Sequence, residues 1–209
     1  MLLGVDVGGT FTDAVLAVDG RVLTAKAPTT PADQSQGVRD AIATVLELAG
    51  RPPGDVARFA HGMTVATNAL LEGRTARTAL IATEGFTDIV ELARQNRAEL
   101  YRLCARGPAP LAPPELRFAA PERMTPDGPL RPLRDEDADA LAGRAAGSGA
   151  EAVAVVLLHA YRHPEHELRI GRALASVAPE LHVSLSHETV GTFREYERAA
   201  TTELDAALS

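Results

Sequence analysis

Two glycines separate two strand-like segments near the start of the chain, and hydroxyl groups follow them. The stretch LLGVDVGGTFTDAVLAVDG covers residues 2–20. Because glycine has no Cβ, a ligand can come close to this backbone, and successive N–H groups in such a turn form a concave site for an anion. The threonine hydroxyls can add hydrogen bonds. We therefore predict a phosphate-binding turn made by Gly8, Gly9, Thr10 and Thr12.

Carboxylates lie on both sides of this turn. Asp6 ends the first strand, where direct contact with phosphate would be repulsive, so we expect it to act through Mg²⁺ or a bound water. Asp13 follows the turn and would support the same site. The two familiar phosphate loops open a helix, whereas here a strand follows. A plain hairpin, with glycines for turn geometry and threonines for β propensity, is the alternative interpretation.

The elements that must position these residues alternate between strands and helices. The tight turn Asp19-Gly20 predicts a hairpin, and Gly50 ends the first long helix. We predict strands at 2–7, 12–18, 21–27, 56–62, 77–83, 151–158 and 181–186, and helices at 30–50, 64–73, 135–146, after Pro164 and at 194–209. This order predicts an α/β fold with a mixed β-sheet flanked by helices. Residues 94–134 are rich in Pro, Arg and Gly, so we expect an irregular excursion with a short hairpin at Asp127-Gly128.

Composition and charge exclude several classes of function. The 209 residues are 45 % hydrophobic and 23 % charged, with a net charge of −7 and no basic cluster. We therefore expect neither a nucleic-acid partner nor an anionic membrane surface. The apolar runs are too short for a signal peptide or a membrane span. Cys104 is the only cysteine, which excludes disulfides within the chain and cysteine-rich zinc sites; a reducing cytoplasm is the simplest location.

Polar residues follow a later strand in a similar way. His61 lies at the end of its predicted strand, and ligands in open α/β sheets gather at the carboxyl ends of strands. We treat His61 as a candidate catalytic residue, with a hydrogen-bonded structural histidine as the alternative. Thr64, Thr67 and Asn68 begin the next helix, where they either cap the helix or contact substrate or phosphate.

Two further clusters suggest opposite conclusions. Two guanidinium groups stand beside two amides at Arg94, Gln95, Asn96 and Arg97, a combination that can bind a carboxylate or an imide edge; a solvated helix end is the alternative. The stretch HPEHE at 163–167 has metal-ligand residue types, but Pro164 followed by Glu165 is typical of a helix start, so we predict no metal site there.

The glycine-pair stretch resembles the first phosphate motif of the actin-like ATPase superfamily. Further blocks resemble the N-terminal part of the hydantoinase A / 5-oxoprolinase family: HGMTVATNALLEG (61–73), GFTDIVELARQNRAELYRL (85–103), PERMTPDG (121–128), VVLLHAYRHPEHE (155–167) and REYERAATTELDAAL (194–208). They stand in the family's order and cover nearly the whole chain. Met63 replaces the first of two threonines that usually follow the His-Gly pair.

The resemblance implies a ribonuclease H-like, actin-like ATPase lobe that uses ATP and Mg²⁺ to open a small cyclic amide, with a hydantoinase B-like partner subunit or domain. It also implies a hydantoinase/oxoprolinase N-terminal domain at 1–186 and the start of a following ATPase domain at 187–209. The last helix keeps Leu204 and Leu208 in register up to the terminus, so we expect the chain to be a fragment. The alternatives are a subunit of an ATP-dependent ketone carboxylase, an actin-like-fold small-molecule kinase, and a non-catalytic ATPase switch.

Overall fold

The computed structural model of the chain describes residues 1–30, 33–96, 101–102 and 108–209. The chain divides into two compact units, Met1–Arg74 and Thr75–Ser209. Predictions that involve Arg97 and Cys104 lie outside the described residues. The sequence-based boundary between 186 and 187 stays a prediction. Among the described helices, none combines the length and apolar character that a membrane span requires.

The first unit is a mixed sheet with a long helix on one face. Strand β1 pairs antiparallel with β2 and parallel with β4, and the sheet runs in the order β3-β2-β1-β4. Its elements are β1 (Leu2–Val7), β2 (Phe11–Val18), β3 (Arg21–Pro28), α1 (Gln34–Ala49), β4 (Arg58–Met63) and α2 (Val65–Leu71).

Side chains alternate between the two faces of the sheet along β1 and β2, and this alternation decides which of them pack against α1. Leu3, Val5 and Val7 are buried on the face that packs against α1, while Asp6 is exposed on the other face. This follows from the two-residue period of a strand. The Asp33 side chain accepts from the Ser35 N–H to start α1. Gly50 ends α1 at a φ of 61°, a left-handed conformation that glycine adopts without steric cost.

The second unit is a parallel sheet covered by helices on both faces. The sheet order is β10-β9-β5-β6, and β7 with β8 forms a separate antiparallel hairpin. The elements are β5 (Thr78–Thr83), α3 (Ile89–Leu92), β6 (Arg117–Ala120), β7 (Arg123–Thr125), β8 (Gly128–Arg131), α4 (Asp135–Ala146), β9 (Ala152–Val156), α5 (Glu165–Val177), β10 (His182–Leu185), α6 (Ser186–Thr189) and α7 (Glu195–Leu208).

Both central strands of this sheet are buried along their whole length. Every residue of β5 and β9 is buried. Ile81 and Val155 pack into one apolar layer, whereas Leu80 and Ala154 pack into the other. A strand with helices on both faces needs apolar residues at every position, and the runs TALIAT and AVAVV have that composition.

Most sequence predictions of elements agree with the structure, which adds the short helices α3 and α6. Two further points differ. The strands are divided between two sheets, and the mixed pairing belongs to the first. The prediction that 94–134 is irregular is wrong for β6, which pairs with β5 at the edge of the parallel sheet. That pairing depends on a partner strand distant in sequence, which the short segment RFAA does not signal. The hairpin at Asp127-Gly128 is confirmed, with Gly128 at a φ of 129°.

Candidate functional site

The glycine pair lies in a tight turn between two antiparallel strands, as the sequence predicts. The register pairs Asp6 with Asp13 and Val7 with Thr12. The Gly8 N–H donates to the Phe11 carbonyl at 3.0 Å, which closes the turn. We call residues 8–10 the glycine turn. A strand enters and a strand leaves it, so the strand-turn-strand geometry that the sequence predicts is present.

Close approach explains why both positions are glycine. Neither Gly8 nor Gly9 has a positive φ. A Cβ on Gly8 would lie 3.0 Å from the Phe11 carbonyl oxygen, and one on Gly9 would lie 3.3 Å from Nδ2 of Asn68. The missing side chain of Gly9 therefore leaves room for the Asn68 amide beside the turn. This argues against the alternative that the glycines serve turn geometry alone.

Asp6 is exposed on the open face of the sheet, one strand residue before the turn begins. A Cβ on Gly62, its neighbour on β4, would lie 3.2 Å from Oδ1 of Asp6. Asp13, its neighbour on β2, pairs with Lys26 Nζ at 3.3 Å. In the part of the chain that the structure describes, no cation pairs with Asp6. The open face thus presents one carboxylate whose charge is uncompensated beside another that is neutralised.

Thr12 faces the interior of the first unit. It is completely buried, and its hydroxyl lies 3.1 Å from the hydroxyl of Thr29. Thr10 is exposed in the turn itself. This arrangement suits direct ligand contact by Thr10 and a supporting role for Thr12.

The start of α2 lies against the end of β1. The N–H and the hydroxyl of Thr64 approach the Val7 carbonyl at 3.2 and 3.3 Å. The Thr64 side chain makes no capping bond to α2, so capping does not explain its hydroxyl. Asn68, one turn later, reaches the glycine turn. Thr67 is exposed on α2. Two of the three predicted residues therefore lie close to the turn or the strand before it.

His61 is not brought to Asp6. It pairs with Val5 in the parallel register of β4 and β1, whereas Asp6 pairs with Gly62. Side chains in register on neighbouring strands share a face, so His61 and Asp6 point to opposite faces of the sheet. The His61 ring is exposed and stacks on Phe59 with 6.2 Å between centroids. His61 stays a predicted site residue, on the face of the sheet opposite to that of Asp6.

A second polar site lies in the second unit. An open groove of about 720 Å³ is lined by Ile89, Ala93, Arg94, Asn96, Phe193, Arg194, Glu195, Tyr196 and Glu197. Arg94 Nε donates to Glu197 Oε1 at 2.6 Å. Ala93 and Gln95 both have a positive φ, of 49° and 56°. Such backbone strain in non-glycine residues occurs often at functional sites. Of the predicted cluster, Arg94 and Asn96 are thus brought to the start of α7, whereas Gln95 does not line the groove. We call this the Arg94 groove.

A buried arginine holds the start of α7. Arg198 is completely buried. Its guanidinium donates to the Ser186 hydroxyl at 2.9 Å, to two carbonyls, of Thr192 and Leu157, and to the carboxylate of Glu195. Removing any one partner from such a network leaves a buried donor unsatisfied. Arg198 therefore fixes the wall of the Arg94 groove that Glu195 forms.

A further groove, of about 820 Å³, lies at the end of the first sheet that is opposite to the glycine turn. Its Arg51 side chain is already paired with Asp19 at 2.9 Å and with Asp55 at 3.6 Å. None of the predicted site residues that the structure describes lines this groove. We therefore do not assign it to the candidate site.

Sequence reasoning missed Lys26, Thr29, Gly37 and Arg198. The pairing of Lys26 could have been predicted from the sequence. The Asp19-Gly20 turn sets Val18 opposite Arg21, and the same register places Asp13 opposite Lys26. Thr29 and Gly37 act through tertiary contacts that carry no local signal. Arg198 follows Glu195 by three positions, a spacing typical of a helical ion pair.

Comparisons with known proteins agree over nearly the whole chain. A family model described as "Hydantoinase/oxoprolinase N-terminal region" matches residues 2–178. The caprolactamase subunit alpha of Pseudomonas jessenii is 33 % identical over 215 residues, which is 99 % of this chain and 31 % of the relative. The acetophenone carboxylase gamma subunit of Aromatoleum aromaticum is 34 % identical over 226 residues, with coverage of 99 % and 31 %. The 5-oxoprolinase 1 of Arabidopsis thaliana is 29 % identical, with coverage of 98 % and 18 %.

Solved structures support the same fold. The crystal structure of the ATP-dependent caprolactamase from Pseudomonas jessenii matches with a TM-score of 0.83 and 31 % identity, over 100 % of this chain and 31 % of that one. A nucleotide-free acetone carboxylase structure matches with a TM-score of 0.89 and 24 % identity, over 99 % and 32 %. The chain thus spans about a third of these proteins. The predicted fold class, an α/β lobe of the actin-like ATPase type, is confirmed.

Proposed function

The chain belongs to the family described as the hydantoinase/oxoprolinase N-terminal region, and from this premise we propose that it forms a phosphate-binding lobe of an ATP-dependent enzyme that opens cyclic amides. The observation that supports this most directly is the glycine turn, where Gly9 leaves space for the Asn68 amide. Relatives named caprolactamase and 5-oxoprolinase act on cyclic amides by their names.

The donors around the glycine turn suit a phosphate group. Backbone N–H groups, the Thr10 hydroxyl and the Asn68 amide all supply hydrogen-bond donors, and a Cβ on Gly9 would crowd the Asn68 amide. Bound ATP would supply the phosphoryl group that turns the ring carbonyl into a better electrophile. The chain's own contribution is positioning and charge neutralisation, which is most of what phosphoryl transfer requires.

Asp6 suits a Mg²⁺ ion that keeps part of its water shell. Its carboxylate is exposed and lacks a cation partner in the described residues, which include no cluster of three or more metal-binding side chains. Mg²⁺ usually takes one or two carboxylates, waters and phosphate oxygens. Asp6 would hold the ion through water, and the ion would neutralise phosphate charge. Asp13 lies beside Asp6 on β2, and its ion pair with Lys26 would keep the net charge at that position close to zero.

The Arg94 groove suits the polar edge of a cyclic substrate. Arg94 and Asn96 offer guanidinium and amide donors, and Arg194 and Tyr196 face the same groove. Gln95 and Arg97 stay proposed contacts, Arg97 from outside the described residues. Thr64, Thr67 and Asn68 are the corresponding proposed contacts in the first unit. His61 is kept as a proposed residue of the site only for a role independent of Asp6.

A ketone carboxylase subunit is the second candidate. The observation that favours it is the similarity to the acetophenone carboxylase gamma subunit, at 34 % identity. Relatives are named as subunits, which supports a partner chain; we propose a hydantoinase B-like one. Because the sequence has a single cysteine, we propose a cytoplasmic location.

The test is ATP turnover by the full-length protein together with the product of its neighbouring gene. Hydantoins, 5-oxoproline, caprolactam and small ketones with bicarbonate form the substrate panel. We expect a cyclic amide to stimulate ATP hydrolysis and to appear as its ring-opened product. Stimulation only by a ketone with bicarbonate would establish the carboxylase. A phosphorylated product with the ring intact would establish a kinase, and turnover that ignores every substrate would establish a switch.

A further inference from the structure

We propose that Thr29 is a positioning residue that orients the backbone of the glycine turn so that its free N–H groups face a bound phosphate. Thr29 lies directly after β3, outside the motif that suggested the phosphate site. The inference rests on the proposed function, because it concerns how the same turn is held.

Thr29 contacts both ends of the turn at once. Its hydroxyl donates to the Gly8 carbonyl at 2.9 Å. Its N–H donates to the Thr10 carbonyl at 2.9 Å. The carbonyl groups of Gly8 and Thr10, one on each side of Gly9, are therefore both directed toward Thr29. A single residue thus fixes the orientation of two peptide groups in a segment of three residues.

The direction of the hydrogen bonds is set by counting protons. A threonine hydroxyl has one proton to donate. Thr29 gives that proton to the Gly8 carbonyl, so the 3.1 Å contact between the two hydroxyls is a bond from Thr12 to Thr29. Thr12 is completely buried, where water cannot replace the bond. The chain from Thr12 through Thr29 to Gly8 is therefore satisfied only in this arrangement.

The hydrogen bonds of Thr29 also determine where the Gly9 N–H points, because the C=O and the N–H of one peptide group are fixed relative to each other. The described residues contain no cis peptide bond, and in a trans peptide the C=O and the N–H point in opposite directions. The Gly8 carbonyl points toward Thr29, so the Gly9 N–H points away from it, toward the open side. Among the described residues, neither the Gly9 N–H nor the Thr10 N–H has a hydrogen-bond acceptor. Free, adjacent N–H donors of this kind form an anion site.

Helix α1 supports Thr29 from behind. A Cβ on Gly37 would lie 2.7 Å from the Pro28 carbonyl oxygen, 3.2 Å from the Thr12 hydroxyl and 3.4 Å from the Thr29 Cα. The backbone around Thr29 therefore cannot move toward α1. Packing of this density holds the two threonines and the turn in one arrangement.

The experiment compares Thr29→Val with Thr29→Ser in the full-length protein. Valine keeps the shape of threonine and removes the hydroxyl, whereas serine keeps the hydroxyl. We expect Thr29→Val to lower kcat/KM for ATP by about tenfold or more, in line with the loss of an oriented backbone donor. The KM for the cyclic amide should not change. Thr29→Ser should recover most of the loss, and Thr24→Val, an exposed substitution on the preceding strand β3, should leave all parameters unchanged.

Unchanged ATP parameters in Thr29→Val would overturn the inference. Equal losses in the valine and serine variants would also overturn it, because packing rather than the hydroxyl would then be responsible. If Thr29→Val does not fold, Thr12→Val provides the second variant, since it removes the buried donor to Thr29; a fully active Thr12→Val protein would overturn the inference. A wild-type protein that neither binds nor turns over ATP would refute the proposed function and this inference together.

Discussion

Arg94 Nε lies 2.6 Å from Glu197 Oε1, although the two residues are 103 positions apart in the chain. The contact joins the strained segment after α3 to the first turn of α7 in the second unit. Burial alone would raise the pKa of Glu197, but the hydrogen bond and charge of Arg94, a backbone hydrogen bond and the charge of Arg194 together outweigh burial and lower the pKa. The carboxylate therefore stays ionised, and the ion pair keeps Arg94 directed along the groove that we assign to substrate.

We expect Glu197→Gln to raise the KM for the cyclic substrate several-fold and to leave thermal stability almost unchanged. The reason is that exposed ion pairs add little stability, whereas a guanidinium without its partner loses its fixed direction. Steady-state kinetics and a melting curve provide both measurements. The matched control is Asp137→Asn, which removes the partner of the exposed Arg134 from an ion pair at 2.8 Å at the start of α4. Equal effects of the two substitutions on KM would remove Glu197 from the substrate site.

Glu203 should make the second unit less stable as pH rises. Its carboxyl group is buried in α7 and accepts from the Ala112 N–H at 2.5 Å. Burial raises the pKa of Glu203, and the backbone hydrogen bonds from Ala112 and Leu111 offset this only in part. The folded state therefore holds the proton more tightly than the unfolded state. Stability falls as pH rises from the ordinary glutamate range through the raised pKa, and it is constant above that range.

The test is Glu203→Gln, whose amide oxygen can still accept from Ala112. At pH 7 we expect this variant to have a Tm about 2–4 °C above that of the wild type. The difference should vanish when the pH is lowered below the ordinary glutamate range. Glu180→Gln, at an exposed position, serves as the control and should change nothing. A Glu203→Gln variant that is less stable than the wild type at pH 7 would contradict the assignment.

The same substitution should have opposite effects at two helical glycines. Gly143 in α4 has open space where a Cβ would stand, so Gly143→Ala should stabilise the protein by about 0.5–1 kcal/mol through helix propensity. Gly37→Ala places a Cβ 2.7 Å from the Pro28 carbonyl oxygen, and we expect it to destabilise by about 1–3 kcal/mol. Urea unfolding of both variants measures the two values. Stabilisation by Gly37→Ala would mean that the packing behind Thr29 has room to adjust.

Local sequence signals predicted the parts of the site that depend on neighbouring residues. The glycine turn, the Asp19-Gly20 hairpin and the end of α1 at Gly50 all follow from turn and cap chemistry within a few positions. The face of the sheet on which His61 lies could not be predicted in this way, because a one-residue change of register moves a side chain to the other face of the sheet. The strand β6 and the role of Thr29 depend on contacts between distant segments. Such contacts are set by tertiary packing, which a single sequence does not state.

Asp6→Asn should remove most ATP turnover from the full-length protein and leave its fold intact. The carboxylate is exposed, so its loss leaves no buried group unsatisfied. Its proposed action on metal-bound phosphate is an electrostatic role, for which losses of ~10²-fold or more in kcat are typical. Asp139→Asn is the control, since Asp139 is exposed on α4. An Asp6→Asn enzyme with unchanged kcat and unchanged Mg²⁺ dependence would remove Asp6 from the mechanism.

The 209-residue chain by itself should fold, at least in large part, yet neither bind ATP tightly nor hydrolyse it. Actin-like ATPases clamp the nucleotide between two lobes, and Gly8-Gly9 is the only adjacent glycine pair in this sequence. A single phosphate hairpin supplies only some of the contacts, and without closure of a second lobe water is not excluded from the phosphates. Calorimetry with ATP and Mg²⁺ on the purified chain measures this directly, and circular dichroism on the same sample establishes that it is folded. Micromolar binding, or turnover above background, would mean that these residues already contain a complete nucleotide site and that the two-lobe interpretation is wrong.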